Sequence, residues 1–358
     1  PPRLNCRRQR QMCIRDRLST ASYAIARSSF QWLGGRLLWG IAWSLINVGG
    51  LTMMLDVTDE SDRGRVTGMY QLSYLLGLAF SPVLGGLLTD ALGFRPALLV
   101  CAAITAAGFM FAFFALPETR PPSPASGVHF RSLSPSVATL TRAFQHLFPW
   151  KGLSWSALKR RTQIDGQAAV NYIYLMTFFA GNGVVMSTIS LYLKQNFGDE
   201  FPIGGTVLGV ATLGGLLLAM RSLIGMVSGP VSGHLSDRRG DRWPVVLGGI
   251  IIGTVGFGIL IVGKDIWAVP LGVAIIALST GALLTTLTAL TGDLAASGQQ
   301  GWAVGRLATA GDLGSAAGPL LAYALLALID LRWVYLLCGL GFASSLLVLR
   351  FAVAHPGN

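Results

Sequence analysis

Two ionisable residues interrupt stretches that otherwise lack Asp, Glu, Lys and Arg. Arg221 divides the apolar run 201–236, and Asp312 stands at the start of the run 313–329. A charge inside an apolar span is costly unless it has a partner or faces water, so such residues are candidates for function. Both are expected to face one central cavity, where Asp312 either pairs with Arg221 or takes up a proton. Burial favours the neutral acid, which suits a proton carrier. A structural ion pair between two helices is the competing reading. Other chemistry is absent from the pattern. His129, His146, His234 and His355 fall in or next to loops, and neither HExxH nor GxSxG occurs. No P-loop is present. Cys6, Cys13, Cys101 and Cys338 have no metal or disulfide spacing. No metal and no cofactor are expected.

The elements that must position these residues are membrane helices. Only 12% of the 358 residues are charged, 52% are hydrophobic, and glycine occurs 45 times. Soluble domains carry about 25% charged residues, so the polar surface needed in water is missing. Runs free of Asp, Glu, Lys and Arg cover 37–55, 66–89, 97–116, 168–193, 201–236 (broken only by Arg221), 245–263, 266–292, 313–329 and 333–349. A crossing needs about 20 apolar residues. Nine such runs in series predict an all-α membrane protein with nine transmembrane helices. On this spacing Arg221 lies about 21 Å and Asp312 about 17 Å from the same membrane face.

The net charge of +11 is spread through short segments between the runs, with no compact basic patch interleaved with aromatics. That excludes nucleic-acid binding as a reading. Segment 117–167 opens with PETRPPSPASG and carries seven basic residues. It reads as a polar linker with one amphipathic helix near 136–148. The loops 56–65, 117–167 and 236–243 hold twelve Lys and Arg, against four in the alternate set. This places the linker in the cytoplasm. Residues 1–17 read as an artefactual or disordered tail, because QMCIRDR resembles translated sequencing-adapter read-through.

The chain also repeats itself at an offset of 237. Asp56 falls on Asp293, Gly64 on Gly301, Gly68 on Gly305, Gly77 on Gly314, Pro82 on Pro319, Arg95 on Arg332 and Cys101 on Cys338. Parallel repeats mark carriers built from two similar bundles. The expected organisation is an incomplete N-terminal bundle over 18–116, the linker 117–167, a six-helix bundle over 168–353, and a tail over 354–358. By the same offset, roughly 70 residues of helix are expected before Pro1.

Three motifs now carry a family resemblance, which covers nearly everything after residue 17. Gly68, Gly77, Ser81, Pro82, Gly85 and Gly86 match the helix-5 signature of proton-coupled antiporters, with Ser81 in place of one glycine. Gly77, Ser81 and Gly85 share one helix face, and Gly225, Gly229 and Gly233 repeat the spacing. Gly233, Asp237, Arg238, Gly240 and Arg242 resemble a cytoplasmic gating loop. Arg36 and Gly40 resemble an Arg-x-x-Gln-Gly motif, with Trp39 where Gln is usual. The chain resembles a transporter of the major facilitator superfamily, drug/proton antiporter-like and N-terminally truncated. The nine runs are then helices 4–12 of a twelve-helix, two-bundle fold.

The resemblance implies that both glycine-rich helices pack across the interface between halves, that the loop latches the inward side, and that Arg36 takes part in proton coupling. It also implies cavity residues Trp43, Asn47, Tyr174, Phe178, Asn182, Thr280 and Thr285. The function expected is proton-coupled efflux of a small organic solute by alternating access, in the bacterial inner membrane and as a monomer. A proton-coupled importer of a sugar or other metabolite, and a membrane protein that transports nothing, are the alternatives. A membrane-embedded enzyme is disfavoured by the absence of a nucleophile or metal site.

Overall fold

The computed structural model describes residues 23, 26–28, 30–41, 63–115, 166–203, 206–295 and 299–353. Trp43, Asn47, the helix expected near 136–148 and both tails lie outside them.

The described chain is helical almost throughout, as backbone in lipid must satisfy its own hydrogen bonds. Helix α1 covers 30–41. It is followed by α2 (Arg63–Leu92), α3 (Phe94–Ala115), α4 (Gly166–Thr177), a π-helical segment (Phe178–Val185) and α5 (Met186–Phe197). The hairpin β1 (Glu200–Ile203) and β2 (Thr206–Gly209) leads into α6 (Val210–Arg239). Then come α7 (Trp243–Val262), α8 (Ala268–Leu294), α9 (Gln300–Leu325) and α10 (Leu331–Val353). Six helical rods are long and apolar enough to cross a membrane, among them Gly166–Phe197 and Ala268–Leu294.

Three boundaries depart from the charge-free runs. The run from 201 is not helical at its start, because Glu200–Ile203 pairs antiparallel with Thr206–Gly209 and α6 begins only at Val210. Pro202 donates no N–H to a helix, which favours this break. The run from 313 belongs to a helix that starts at Gln300, since Arg306 and Asp312 are helical. The run 168–193 is one rod in three parts, with α-helix on either side of the π segment.

The repeat is visible in the helix starts. The offset of 237 carries Phe94 onto Leu331, the first residues of α3 and α10. Short turns reverse the chain between neighbours. Gly93, at φ 85°, and Gly240, at φ 69°, occupy the left-handed region that glycine tolerates best.

The core of the second part joins α4, the π segment and α5 to α7, α8, α9 and α10, around fully buried Tyr192, Tyr335, Phe257 and Ile173. Three of its hydroxyls are partnered across helices. Tyr192 Oη donates to Leu260 O at 2.7 Å, and Thr188 and Tyr335 lie 3.0 Å apart. Helix α2 packs along α6 and meets β2, which ties the first part to the second.

Candidate functional site

The contact between α2 and α6 is built from residues four apart. Leu78, Pro82, Gly86 and Asp90 form one stripe of α2, because i and i+4 share a helix face. Pro82 has no N–H to offer the carbonyl of Leu78. That oxygen instead meets Ser222 Oγ of α6 at 3.5 Å. One turn on, a Cβ at Gly215 would run into the backbone of Pro82 and stand 3.2 Å from Val83 Cα. A Cβ at Gly86 would meet the backbone of Ala211 and stand 2.8 Å from Thr212 Cα. Glycine is required on both sides of this approach.

Asp90 closes the stripe. Its carboxylate accepts hydrogen bonds from the backbone N–H groups of Thr212 at 2.7 Å and Ala211 at 3.3 Å. These belong to the first turn of α6, where the helix leaves its own donors unpaired and carries partial positive charge. A side chain at Gly209 would collide with the same carboxylate.

Of the motif residues, Pro82 and Gly86 make this approach, while Gly77, Ser81 and Gly85 lie one position away from it. Nothing among the described residues lies within 4 Å of a Cβ at Gly77, Gly85 or Gly225, and Ser81 is exposed. Gly229 and Gly233 face Thr285 of α8 instead. The repeat supplies the reason. The images of Gly77 and Ser81 are Gly314 and Gly318, which pack inside their own half against Leu175, Phe179 and Gly183. The small-residue face of the motif belongs to packing within a half, and the neighbouring face to packing between halves. Gly68 lies in α2.

Arg221 and Asp312 occupy the middle of their helices. Arg221 is 11 residues from the start of α6, and Asp312 is 13 from the end of α9. These are about 17 and about 20 Å along the axis from the same side, so the two are level. They do not pair with each other. An Nη of Arg221 donates to Oδ1 of Asn182 in the π segment. The same Nη lies 3.6 Å from a Cβ built at Gly181, and Thr280 Oγ1 of α8 lies 3.1 Å from that point. Nε of Arg221 is sealed from solvent and has no partner among the described residues. Asp312 is exposed. It follows Gly311, which is covered by the rings of Tyr174 and Phe178, and Tyr174 is within its electrostatic reach.

Arg36 is exposed on α1, with its guanidinium 5.4 Å from the centroid of the Trp39 ring. Trp39 thus supplies a cation–π contact at the position where glutamine was expected.

At the far end of α6, Gly240 ends the helix in a left-handed turn and its N–H reaches Asp237 O. Arg242 gathers the loop. Nη1 donates to Asp237 at 2.8 Å and to Ser236 at 3.0 Å, and Nε donates to Asp293 at the end of α8. Two carboxylates hold this guanidinium in its charged form, Asp293 more strongly than Asp237. Among the described residues the cluster joins α6 to α8 within one half, and Arg238 is exposed outside it. Exposed ion pairs contribute about 0.2–1 kcal/mol each. Arg242→Ala is expected to lower thermal stability more than Asp237→Asn or Asp293→Asn, and all three effects should shrink in high salt. Equal, salt-independent losses would mean that the ion pairs do not hold the loop.

Two of these residues were not singled out by sequence reasoning. Asp90 looks like an ordinary acid at a helix end. Asp293 had a signal, since the repeat sets it opposite Asp56.

The family model described as Major Facilitator Superfamily matches residues 18–219 and 172–358. The human protein named Major facilitator superfamily domain-containing protein 10 is 24% identical over 313 residues, covering 85% of this chain. The chain spans 63% of that relative's length. The crystal structure of human MFSD10 (TETRAN), described as an organic anion transporter, superposes with a TM-score of 0.55 at 20% identity, over 95% of this chain and 75% of the other. A POT family transporter in complex with 5-aminolevulinic acid gives 0.65 at 15% identity, over 96% and 80%. The MFS antiporter QDR3 of Candida albicans is 32% identical over 84 residues, which is 24% of this chain and 12% of that one.

Proposed function

The chain belongs to the Major Facilitator Superfamily, and on that premise we propose that it moves a small organic solute across a membrane by proton-coupled exchange. The observation that carries this reading is the one-ended contact between α2 and α6. The two helices are in contact from Leu78–Ser222 to Asp90–Thr212, with backbones touching at Pro82–Gly215 and Gly86–Ala211, while beyond it a Cβ at Gly77 or Gly225 meets nothing among the described residues within 4 Å. Two halves joined at one end of a helix pair can part there and close at the other end, as alternating access requires.

The twelve-to-four bias of basic residues puts the closed end outside and the linker 117–167 in the cytoplasm. The solute then enters from the cytoplasm, in a bacterial inner membrane, and leaves outward through a protein working as a monomer. Asp312 carries the proton, being an exposed carboxylate at mid-helix depth beside Tyr174. Arg36, Arg221 and Asn182 belong to the same central path, and the cluster at Arg242 steadies the cytoplasmic end. The antiporter description of the Candida albicans protein agrees with exchange, and the anion transporter description of the human one with an organic solute.

The test uses the protein in proteoliposomes with a pH-sensitive dye inside, challenged with a panel of organic acids, amines and sugars. At least one class should move protons in the wild type. Asp312→Asn should abolish that proton movement and retain solute–solute exchange. A panel that moves no protons removes the coupling, and an unchanged Asp312→Asn removes Asp312 from it.

A further inference from the structure

We infer that Arg221 and Asn182 form the recognition site for an anionic group, so that the solute is a small organic acid presenting a carboxylate. The inference rests on the transport reading above and adds the class of solute. It begins with charge. A guanidinium is protonated at all physiological pH, and one held away from water needs an anion close by. Among the described residues Arg221 has none. Its partner is the neutral amide of Asn182, its Nε is sealed and unpaired, and no carboxylate among those residues lies within 4 Å. Asp312, the carboxylate at the same depth, stands apart on α9.

The surroundings keep the guanidinium in place without neutralising it. Asn182 fixes one Nη from the π segment, a conformation found often at functional sites. Gly181 is buried beside that same nitrogen, and a Cβ there would stand 3.1 Å from Thr280 Oγ1 and 3.6 Å from the Nη. Donors thus remain for an oxygen pair from outside the protein, and a guanidinium fork matches a carboxylate through two parallel bonds. The rings of Tyr174 and Phe178, 4.8 Å apart, stand on the same rod about two turns and one turn before Asn182 and offer an apolar surface. An acid with an aromatic or aliphatic body fits both features.

The experiment measures binding in detergent, with no gradient and no transport. The probes are 1-naphthylacetate and its uncharged amide, 1-naphthylacetamide, followed by thermal shift and titration calorimetry. The acid should bind the wild type and the amide should bind at least about tenfold more weakly, the size expected when a hydrogen-bonded charge is lost. Arg221→Gln should lose the preference for acid over amide. Arg221→Lys should keep part of it, which controls for misfolding, and Lys264→Gln, at an exposed cation in the turn between α7 and α8, should keep all of it. Equal binding of acid and amide to the wild type overturns the inference, as does an undiminished acid preference in Arg221→Gln. Acid binding without proton movement in proteoliposomes would instead strike the transport reading and leave this site standing.

Discussion

Gly86→Leu is expected to hold the two halves apart on the side where α2 and α6 now meet. Any Cβ at this position stands 2.8 Å from Thr212 Cα and closer still to the carbonyl of Ala211. Both are backbone atoms, so no rotamer change relieves the clash. Overpacking costs about 1–3 kcal/mol. Because that cost falls on the closed arrangement alone, the ratio of the two arrangements shifts by roughly 5- to 150-fold. A cysteine introduced at Ser222, opposite Leu78, reports the change through its reaction with a membrane-impermeant maleimide added outside. Its labelling rate should rise at least about fivefold in Gly86→Leu, and transport should fall in parallel. Gly85→Leu is the control, since nothing among the described residues lies within 4 Å of its Cβ. Equal labelling in both variants would mean that this contact does not gate the path.

Gly318→Ala should destabilise the protein itself, because its contact lies within one half. The new methyl would stand 2.6 Å from Gly183 Cα and from Phe179 O, on the backbone of the π segment. Alanine is ordinarily better than glycine in a helix by about 1 kcal/mol. The expected sign is therefore opposite to the helix-propensity effect. Overpacking of about 1–3 kcal/mol corresponds to a fall of about 2–10 °C in melting temperature. Gly258→Ala, with open space around its Cβ, should melt no lower than the parent. A Gly318→Ala protein as stable as Gly258→Ala would show that the two rods can separate without cost.

Much of the architecture was legible because membrane helices announce themselves through long stretches without charge, and because turn and contact residues repeat at a fixed offset. What escaped was hidden by the same apolarity. FPIGGTVLG reads as continuous membrane span, yet Pro202 lies in a hairpin strand. FFAGNGVV reads as ordinary helix, since an apolar run has no period from which i→i+5 bonding could be told. At the site, residue types were easier to read than partners. Arg221 and Asn182 were both candidates, but their bond depends on how α6 meets the π segment. Asp312 was expected either to pair with Arg221 or to take up a proton; the pairing rested on depth alone, and depth does not fix the direction in which a side chain points. The motif on α2 identified the helix and two of its contact residues, Pro82 and Gly86, while the face of Gly77, Ser81 and Gly85 lies one residue, about 100° of rotation, away. Trp43 and Asn47 lie outside the described residues, so the cavity roles expected of them stand as proposals.

The seal at Asp90 sets an energy scale for opening. It contains no Lys or Arg, so no second ion must be stripped of water when the halves meet. A carboxylate at an exposed helix N-terminus contributes about 0.3–1 kcal/mol, roughly a two- to fivefold bias in an equilibrium. Water can take over both backbone donors once the halves part, so the remaining penalty is small. Such a fastening is comparable with thermal energy. It favours one arrangement without trapping it, and each reversal stays within reach of the free energy of one solute or one proton.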